Sequence, residues 1–126
     1  MAASMPNPEM IKKNKEDIAA LNAKTSITVT RNTTYISGTN LTAIQYGRVI
    51  YVSGYFAVST EVPVHTQFIT INKANKMGIN VFAIAINTST GVCKNIYISN
   101  NDTELKPNGT SIPSGEYVLN FSYIAD

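Results

Sequence analysis

Apolar and polar side chains alternate from Thr25 to the end of the chain, and this period of two leaves few folds open. The alternating runs are rich in β-branched and aromatic residues, and Gly, Asn, Pro or Ser separate them. About seven such strands with no second helix indicate an antiparallel β-sandwich or jelly roll. The predicted strands are TSITVT, NLTAIQY, RVIYVSGYFAV, TQFITI, NVFAIAINT, GVCKNIYIS and GEYVLNFSYI.

The connections between these strands differ in length. The segment NTSTG, closed by Gly91, predicts a hairpin turn between two of them. The segment NNDTELKPNGTSIPSG predicts a long connection that contains a short strand.

Several of the predicted strands are apolar on both faces, whereas the strands of a two-sheet monomer need only one apolar face. The strand RVIYVSGYFAV, for example, has alternating apolar residues on each side. We therefore expect the second face to be buried between subunits. The candidate residues for this interface in the head are Val49, Tyr51 and Tyr55.

A helix is predicted before the first strand. Asn7 suits the N-cap, Pro8 the first helical position, and Glu9 the positive end of the helix dipole. The sequence therefore divides into residues 1–7, which are disordered or not native, a helix over 8–24 and a β head over 25–126.

The apolar stripe of this helix is narrow, as in a coiled coil. We assign Ile11 and Ile18 to heptad position a, and Asn14 and Leu21 to position d. A polar seam residue fixes register at a cost in stability. The alternative is a single helix packed on the β domain, which normally has a broader apolar face. Two heptads are too few to decide how many helices the coiled coil contains, and Ile at a with Leu at d favours dimers.

The composition argues against several classes of protein. The net charge is +2 and the basic residues are scattered, unlike the clustered basic face of a nucleic-acid-binding protein. No apolar stretch approaches the roughly 20 residues of a membrane span. The first ten residues lack the apolar core of a signal peptide. The single cysteine, Cys93, excludes an intrachain disulfide.

Two segments resemble the tail-fibre and receptor-binding proteins of tailed bacteriophages and prophages. NKEDIAALNAKTSITVT is similar to the junction between coiled coil and β head in that family, and INVFAIAINTSTGVCKNIYIS followed by SIPSGEYVLNFSYIAD is similar to its closing section. The resemblance implies a homotrimer with three parallel helices and three β heads, joined to an upstream fibre or baseplate segment. It also implies a virion location and binding to host glycans or wall polymers.

Catalytic constellations are not recognisable in the sequence, so we expect no enzyme, metal or cofactor. The one histidine, His65, has no evident nucleophile and acid partner, and Asp102 and Glu104 lie in a polar loop. Binding is therefore the favoured class of function. Tyr35, Tyr46 and Tyr97 are candidates for stacking on a sugar, with packing as the alternative role. A bacterial trimeric surface adhesin and a purely structural fibre module are the other functions considered.

Overall fold

The computed structural model describes residues 7–126, apart from the side chains of residues 20–22. About half of the chain lies in strands, and one helix precedes them in the described part. The mainly β prediction is therefore confirmed. The elements are α1 Pro8–Asn22, β1 Lys24–Ile27, β2 Val29–Arg31, β3 Ile36–Thr39, β4 Thr42–Tyr46, β5 Val49–Val58, β6 Ile69–Ile71, β7 Val81–Asn87, β8 Cys93–Ile98, β9 Glu104–Pro107 and β10 Gly115–Ile124.

The helix begins as the sequence predicts and lies apart from the core. The side-chain oxygen of Asn7 accepts a hydrogen bond from the backbone N–H of Met10 at 2.8 Å, and Pro8 occupies the first turn. Every described side chain of α1 is exposed, including Ile11 at 43% and Ile18 at 58%. The alternative of a helix packed on the β domain is therefore not seen among the described side chains. The prediction of disorder for residues 1–7 lies, except for Asn7, outside the described residues.

Nine of the ten strands in the described residues pair antiparallel along one path, β1-β4-β5-β10-β7-β8-β9-β6-β2, and the tenth, β3, pairs with β5 beside β4. The first and last strands of this path, β1 and β2, are separated in the chain by Thr28 alone. The two edges of the sheet therefore come together, and the sheet is nearly closed. The apolar core fills its interior.

This connectivity does not show two separate facing sheets, so the β-sandwich stays a prediction. Strand β9 pairs with both β8 and β6, so the hydrogen bonds join all strands into one curved sheet. The predicted strand TSITVT is in fact two strands, because β1 pairs with β4 whereas β2 pairs with β6. Strand β3 was not predicted. It is short, contains Gly38 and has an irregular register after Ile36. The short strand expected in the long connection is β9.

The predicted β7–β8 hairpin is confirmed. The side chain of Asn87 accepts hydrogen bonds from the backbone N–H groups of Ser89 at 2.9 Å and Thr90 at 3.0 Å. The N–H of Gly91 donates to the carbonyl of Asn87 at 2.9 Å, and Gly91 has φ 72°, a conformation that favours glycine. The hairpin therefore sets the register between β7 and β8.

The interior is filled from one face of each long strand. Phe56 of β5 lies at its centre, with ring centroids 5.4 Å from Phe68 and 5.5 Å from Tyr117 of β10. In β7 the small residues Val81 and Ala85 point inward. The larger apolar residues of β7 therefore remain outside.

Candidate functional site

The outer face of the sheet is apolar along one row of paired residues. Tyr55 of β5 lies opposite Val118 of β10, and Val118 lies opposite Ile86 of β7. Each of these three side chains is exposed. Residues directly opposite in an antiparallel pair share a face and touch. We call Tyr55, Val118 and Ile86 the outer row.

The predicted head interface lies on this same face. Tyr51 is 52% exposed and Tyr55 is 41% exposed, while Val49 is half-buried. The ring of Tyr51 meets the ring of Tyr46 edge-on, with centroids 5.9 Å apart. Because one chain is described, the burial of these residues between subunits stays a prediction.

The predicted coiled-coil seam lies on α1, whose described side chains do not pack on the core. Ile11, Asn14 and Ile18 are exposed, while the side chain of Leu21 lies outside the described residues. Because one chain is described, the seam also stays a prediction.

The three predicted sugar-stacking tyrosines do not come together. Tyr35 is half-buried and packs against the core just before β3. Tyr46 lies on β4 and Tyr97 on β8, with β5, β10 and β7 between them in the sheet. Among these three, Tyr97 has the richest aromatic surroundings.

Tyr97 is part of an aromatic group that the sequence analysis missed. Phe82 of β7 lies directly opposite it, with ring centroids 6.3 Å apart and planes tilted by 33°. The hydroxyl of Tyr97 forms a hydrogen bond with Nδ1 of His65 at 2.8 Å. His65 has φ 63°, which is uncommon for a residue with a side chain, and its N–H donates to the carbonyl of Pro107 at 3.0 Å. His65 is thereby fixed beside Tyr97.

A depression of about 350 Å³ lies next to this group. It combines apolar side chains with two amides and has no charged residue in its lining. Asn95 lies opposite Ile84, and the backbone N–H of Asn108 donates to the carbonyl of Asn95 at 2.9 Å. Within residues 7–126 the side-chain amides of these two asparagines form no hydrogen bond. The lining residues are Phe82, Ala83, Ile84, Asn95 and Asn108.

A cation close to Tyr97 in the sheet, Lys106, is paired with two acidic side chains. Lys106 lies opposite Tyr97, and its Nζ is 3.2 Å from Asp102 and 3.5 Å from Glu104. Burial alone would lower the pKa of Lys106, but the hydrogen bond to Asp102 and the charges of Asp102 and Glu104 raise it above its usual value. The group therefore stays ionised and paired.

The hairpin register could have revealed this site from the sequence. Counting back from the turn pairs Ile84 with Asn95 and Phe82 with Tyr97. His65 could not have been placed in this way, because it comes from the loop between β5 and β6.

Other features bear on the remaining sequence predictions. Among the described residues, no three His, Cys, Asp or Glu side chains are grouped so that they could hold a metal ion. The described helix is neither long nor apolar enough to cross a membrane. Cys93 is exposed on the outer face, where it pairs with Ile86. No protein-family model matches the sequence, and a search of curated proteins finds no relative.

Proposed function

We propose that this chain is the non-enzymatic head of a homotrimeric phage tail fibre, located at the tip of the virion tail. It binds a host cell-surface glycan or wall polymer, and its helix joins it to an upstream fibre or baseplate segment. The proposal is carried by the exposed outer row of Tyr55, Val118 and Ile86, together with a helix whose described side chains are all exposed. The number of subunits rests on the family resemblance.

Both exposed features are explained if copies of the chain cover them. Three parallel helices place Ile11, Asn14 and Ile18 on a common axis, and a helix of this length is marginal without such neighbours. Contacts between heads then bury the outer row, at about 25 cal/mol per Å² of apolar surface. Neither nucleic acid nor membrane insertion is part of the proposal.

The candidate acids and base support binding rather than hydrolysis. Asp102 and Glu104 both contact Lys106, and His65 is hydrogen-bonded to Tyr97. A fibre depolymerase needs two carboxylates that face a bound sugar. Incubation with the host polysaccharide should therefore release no reducing ends, and a clear release would contradict the proposal.

The alternative is a bacterial trimeric adhesin at the cell surface, or a purely structural fibre module. The same exposed helix and outer row favour these assemblies equally. Finding tail and lysis genes next to this one would support the phage function, whereas finding a wall or outer-membrane anchor on the full chain would support an adhesin.

Light scattering tests the assembly directly. At micromolar concentration we expect a mass three times the 13.7 kDa of one chain. Val118→Ser should reduce that mass, because it places a hydroxyl in the outer row. Asn120→Ala, on the same strand and face but at a polar position, is the matched control and should leave the mass unchanged. A monomeric wild-type chain would exclude the trimer.

A further inference from the structure

The depression beside Phe82 differs from two other surface cavities in having side-chain amides that form no hydrogen bond within the described residues. In the cavity near the chain end, the amide of Gln45 already donates to the carbonyls of Gly47 at 3.0 Å and Asp126 at 3.1 Å. In the cavity near the hairpin turn, the side chain of Asn87 is used by the turn itself. Only the depression beside Phe82, among these described cavities, offers uncommitted amides.

Its apolar wall is an aromatic ring that faces solvent. The side chain of Phe82 is 62% exposed and contains no polar atom that could bind water. The face of an aromatic ring carries partial negative charge and attracts weakly positive hydrogens. The C–H groups on one face of a pyranose ring are such hydrogens. Tyr97 supports the ring from the neighbouring strand and is itself held by His65.

Its polar wall consists of the two asparagine amides. Each amide has one acceptor and two donors, which matches a hydroxyl that both donates and accepts. The hydrogen bond from the N–H of Asn108 to the carbonyl of Asn95 fixes the spacing of their backbones. A pair of neighbouring sugar hydroxyls can therefore be recognised without a large loss of backbone freedom.

The charge distribution selects among sugars. No lining residue is ionised, and Lys106 is paired with Asp102 and Glu104. A carboxylate or phosphate would therefore find no cation in the lining of the depression. The volume of about 350 Å³ is at the lower end of the range of small-molecule sites, roughly 300–1,000 Å³, and suits one or two sugar rings.

We infer that Phe82, Asn95 and Asn108 form a binding site for a neutral saccharide, with the sugar ring stacked on Phe82 and its hydroxyls held by the two amides. This inference rests on the proposed function as a glycan-binding head and names its ligand-binding surface. The site is compatible with a trimer through the outer row. Phe82 lies four residues from Ile86 along β7, about 13 Å at the usual rise of a strand.

The test is a titration of the isotope-labelled full chain, followed by the nuclear magnetic resonance signals of the asparagine side-chain amides. The probes are the methyl glycosides of glucose, galactose and mannose, and N-acetylglucosamine, with sialic acid and glycerol phosphate as charged comparators. At least one neutral probe should shift the Asn95 and Asn108 signals saturably at millimolar concentration. The charged probes should bind more weakly.

Matched variants locate the site. Phe82→Ala, Asn95→Ala and Asn108→Ala should each weaken binding about tenfold, which corresponds to about 1.4 kcal/mol. The controls are Ile79→Ala, an exposed apolar residue in the loop before β7, and Asn120→Ala, an exposed amide on β10. Both should bind as the wild type does. All five variants should keep the thermal unfolding midpoint and mass of the wild type.

Four results would overturn the inference. These are no shift with any neutral probe, tighter binding of a charged probe, unchanged affinity in the three site variants, and a loss of mass in Phe82→Ala, which would assign Phe82 to a subunit interface. A monomer that binds sugar at Asn95 contradicts the trimer and leaves this site intact. A trimer that binds sugar elsewhere does the reverse.

Discussion

Two neighbouring residues of β5 show how differently the two faces of the sheet are used. Phe56 points inward, has no exposed surface and stacks against Tyr117, whereas Tyr55 points outward and is 41% exposed. Both are aromatic and both belong to an apolar run of one strand. The inner face is thus completed within a single chain, while the outer face offers apolar surface that a single chain does not cover.

The outer face is itself divided into two regions. The outer row has apolar side chains on β5, β10 and β7, whereas the depression adds the amides of Asn95 and Asn108 to the ring of Phe82. Surfaces that bind other protein chains have apolar cores, while small-ligand sites combine apolar walls with a few polar groups. This contrast is why we assign self-association to the first region and sugar binding to the second.

The largest expected effect is the difference in unfolding free energy between a mutation on the inner face and one on the outer face of β5. Phe56→Ala should lower the free energy of unfolding by about 3–5 kcal/mol, because it opens a cavity among Phe68 and Tyr117. Tyr55→Ala should cost less than about 1 kcal/mol in the single chain, because little buried surface is lost. Urea unfolding followed by circular dichroism, at a protein concentration low enough for the chain to be monomeric, measures the unfolding free energy of both variants.

The paired variants also test the assignment of the outer face. Above the concentration of assembly, Tyr55→Ala should reduce the mass of the complex while the monomer remains folded. Equal losses of unfolding free energy in the two variants would mean that Tyr55 belongs to the core of one chain and would break the comparison.

A smaller effect is expected at Gly54, where β5 passes close to another segment. Gly54 has φ 131°, and a Cβ placed there would lie 2.1 Å from the carbonyl oxygen of Asn40. Gly54→Ala should therefore cost roughly 1–3 kcal/mol through strain and displaced backbone. Gly38→Ala is the control, because a Cβ at Gly38 meets no atom within 4 Å. The thermal midpoints of the two variants provide the measurement, and a midpoint as high for Gly54→Ala as for Gly38→Ala would contradict the close approach.

Local signals in the sequence predicted the local parts of this fold. The cap at Asn7, the hairpin closed by Gly91 and the alternation along β5 each depend on a few neighbouring residues, and the structure contains all three. The alternation could not tell which face of β7 lies inside. Val81 and Ala85 are smaller than Phe82 and Ile84, yet they occupy the interior.

Distant pairings account for what the sequence did not predict. The ladder between β5 and β10 joins segments more than 50 residues apart, and nothing local in either strand specifies its partner. The division of TSITVT into β1 and β2 depends on two such partners, β4 and β6, and it decides whether the sheet closes. For the candidate site, the local hairpin already pairs Phe82 with Tyr97, whereas Asn108 needed the pairing of β8 with β9.

The smallest expected effect concerns Tyr123, a buried tyrosine near the C-terminal end of β10. The hydroxyl of Tyr123 donates to the carbonyl of Lys73 at 2.8 Å, and burial raises the pKa of Tyr123 well above its usual value of 10.0. The folded state thus keeps a proton that the unfolded chain loses above about pH 10. The contribution of Tyr123 to stability is therefore complete below pH 10 and decreases by up to about 1.4 kcal/mol per pH unit above it.

Tyr123→Phe separates this contribution from the general effect of alkali. The variant should lose about 1 kcal/mol at neutral pH, because the carbonyl of Lys73 loses its donor. Above pH 10 its free energy of unfolding should decrease less steeply than that of the wild type, so the difference between the two shrinks and then reverses. Tyr51→Phe, on the outer face, controls for the loss of a phenol and should follow the wild type. Urea unfolding between pH 7 and pH 11 measures all three chains. If the free energies of unfolding of wild type and Tyr123→Phe decrease with the same slope above pH 10, ionisation of the buried phenol does not destabilise the folded state. The two faces of the sheet would then not differ in how they respond to a charged tyrosine.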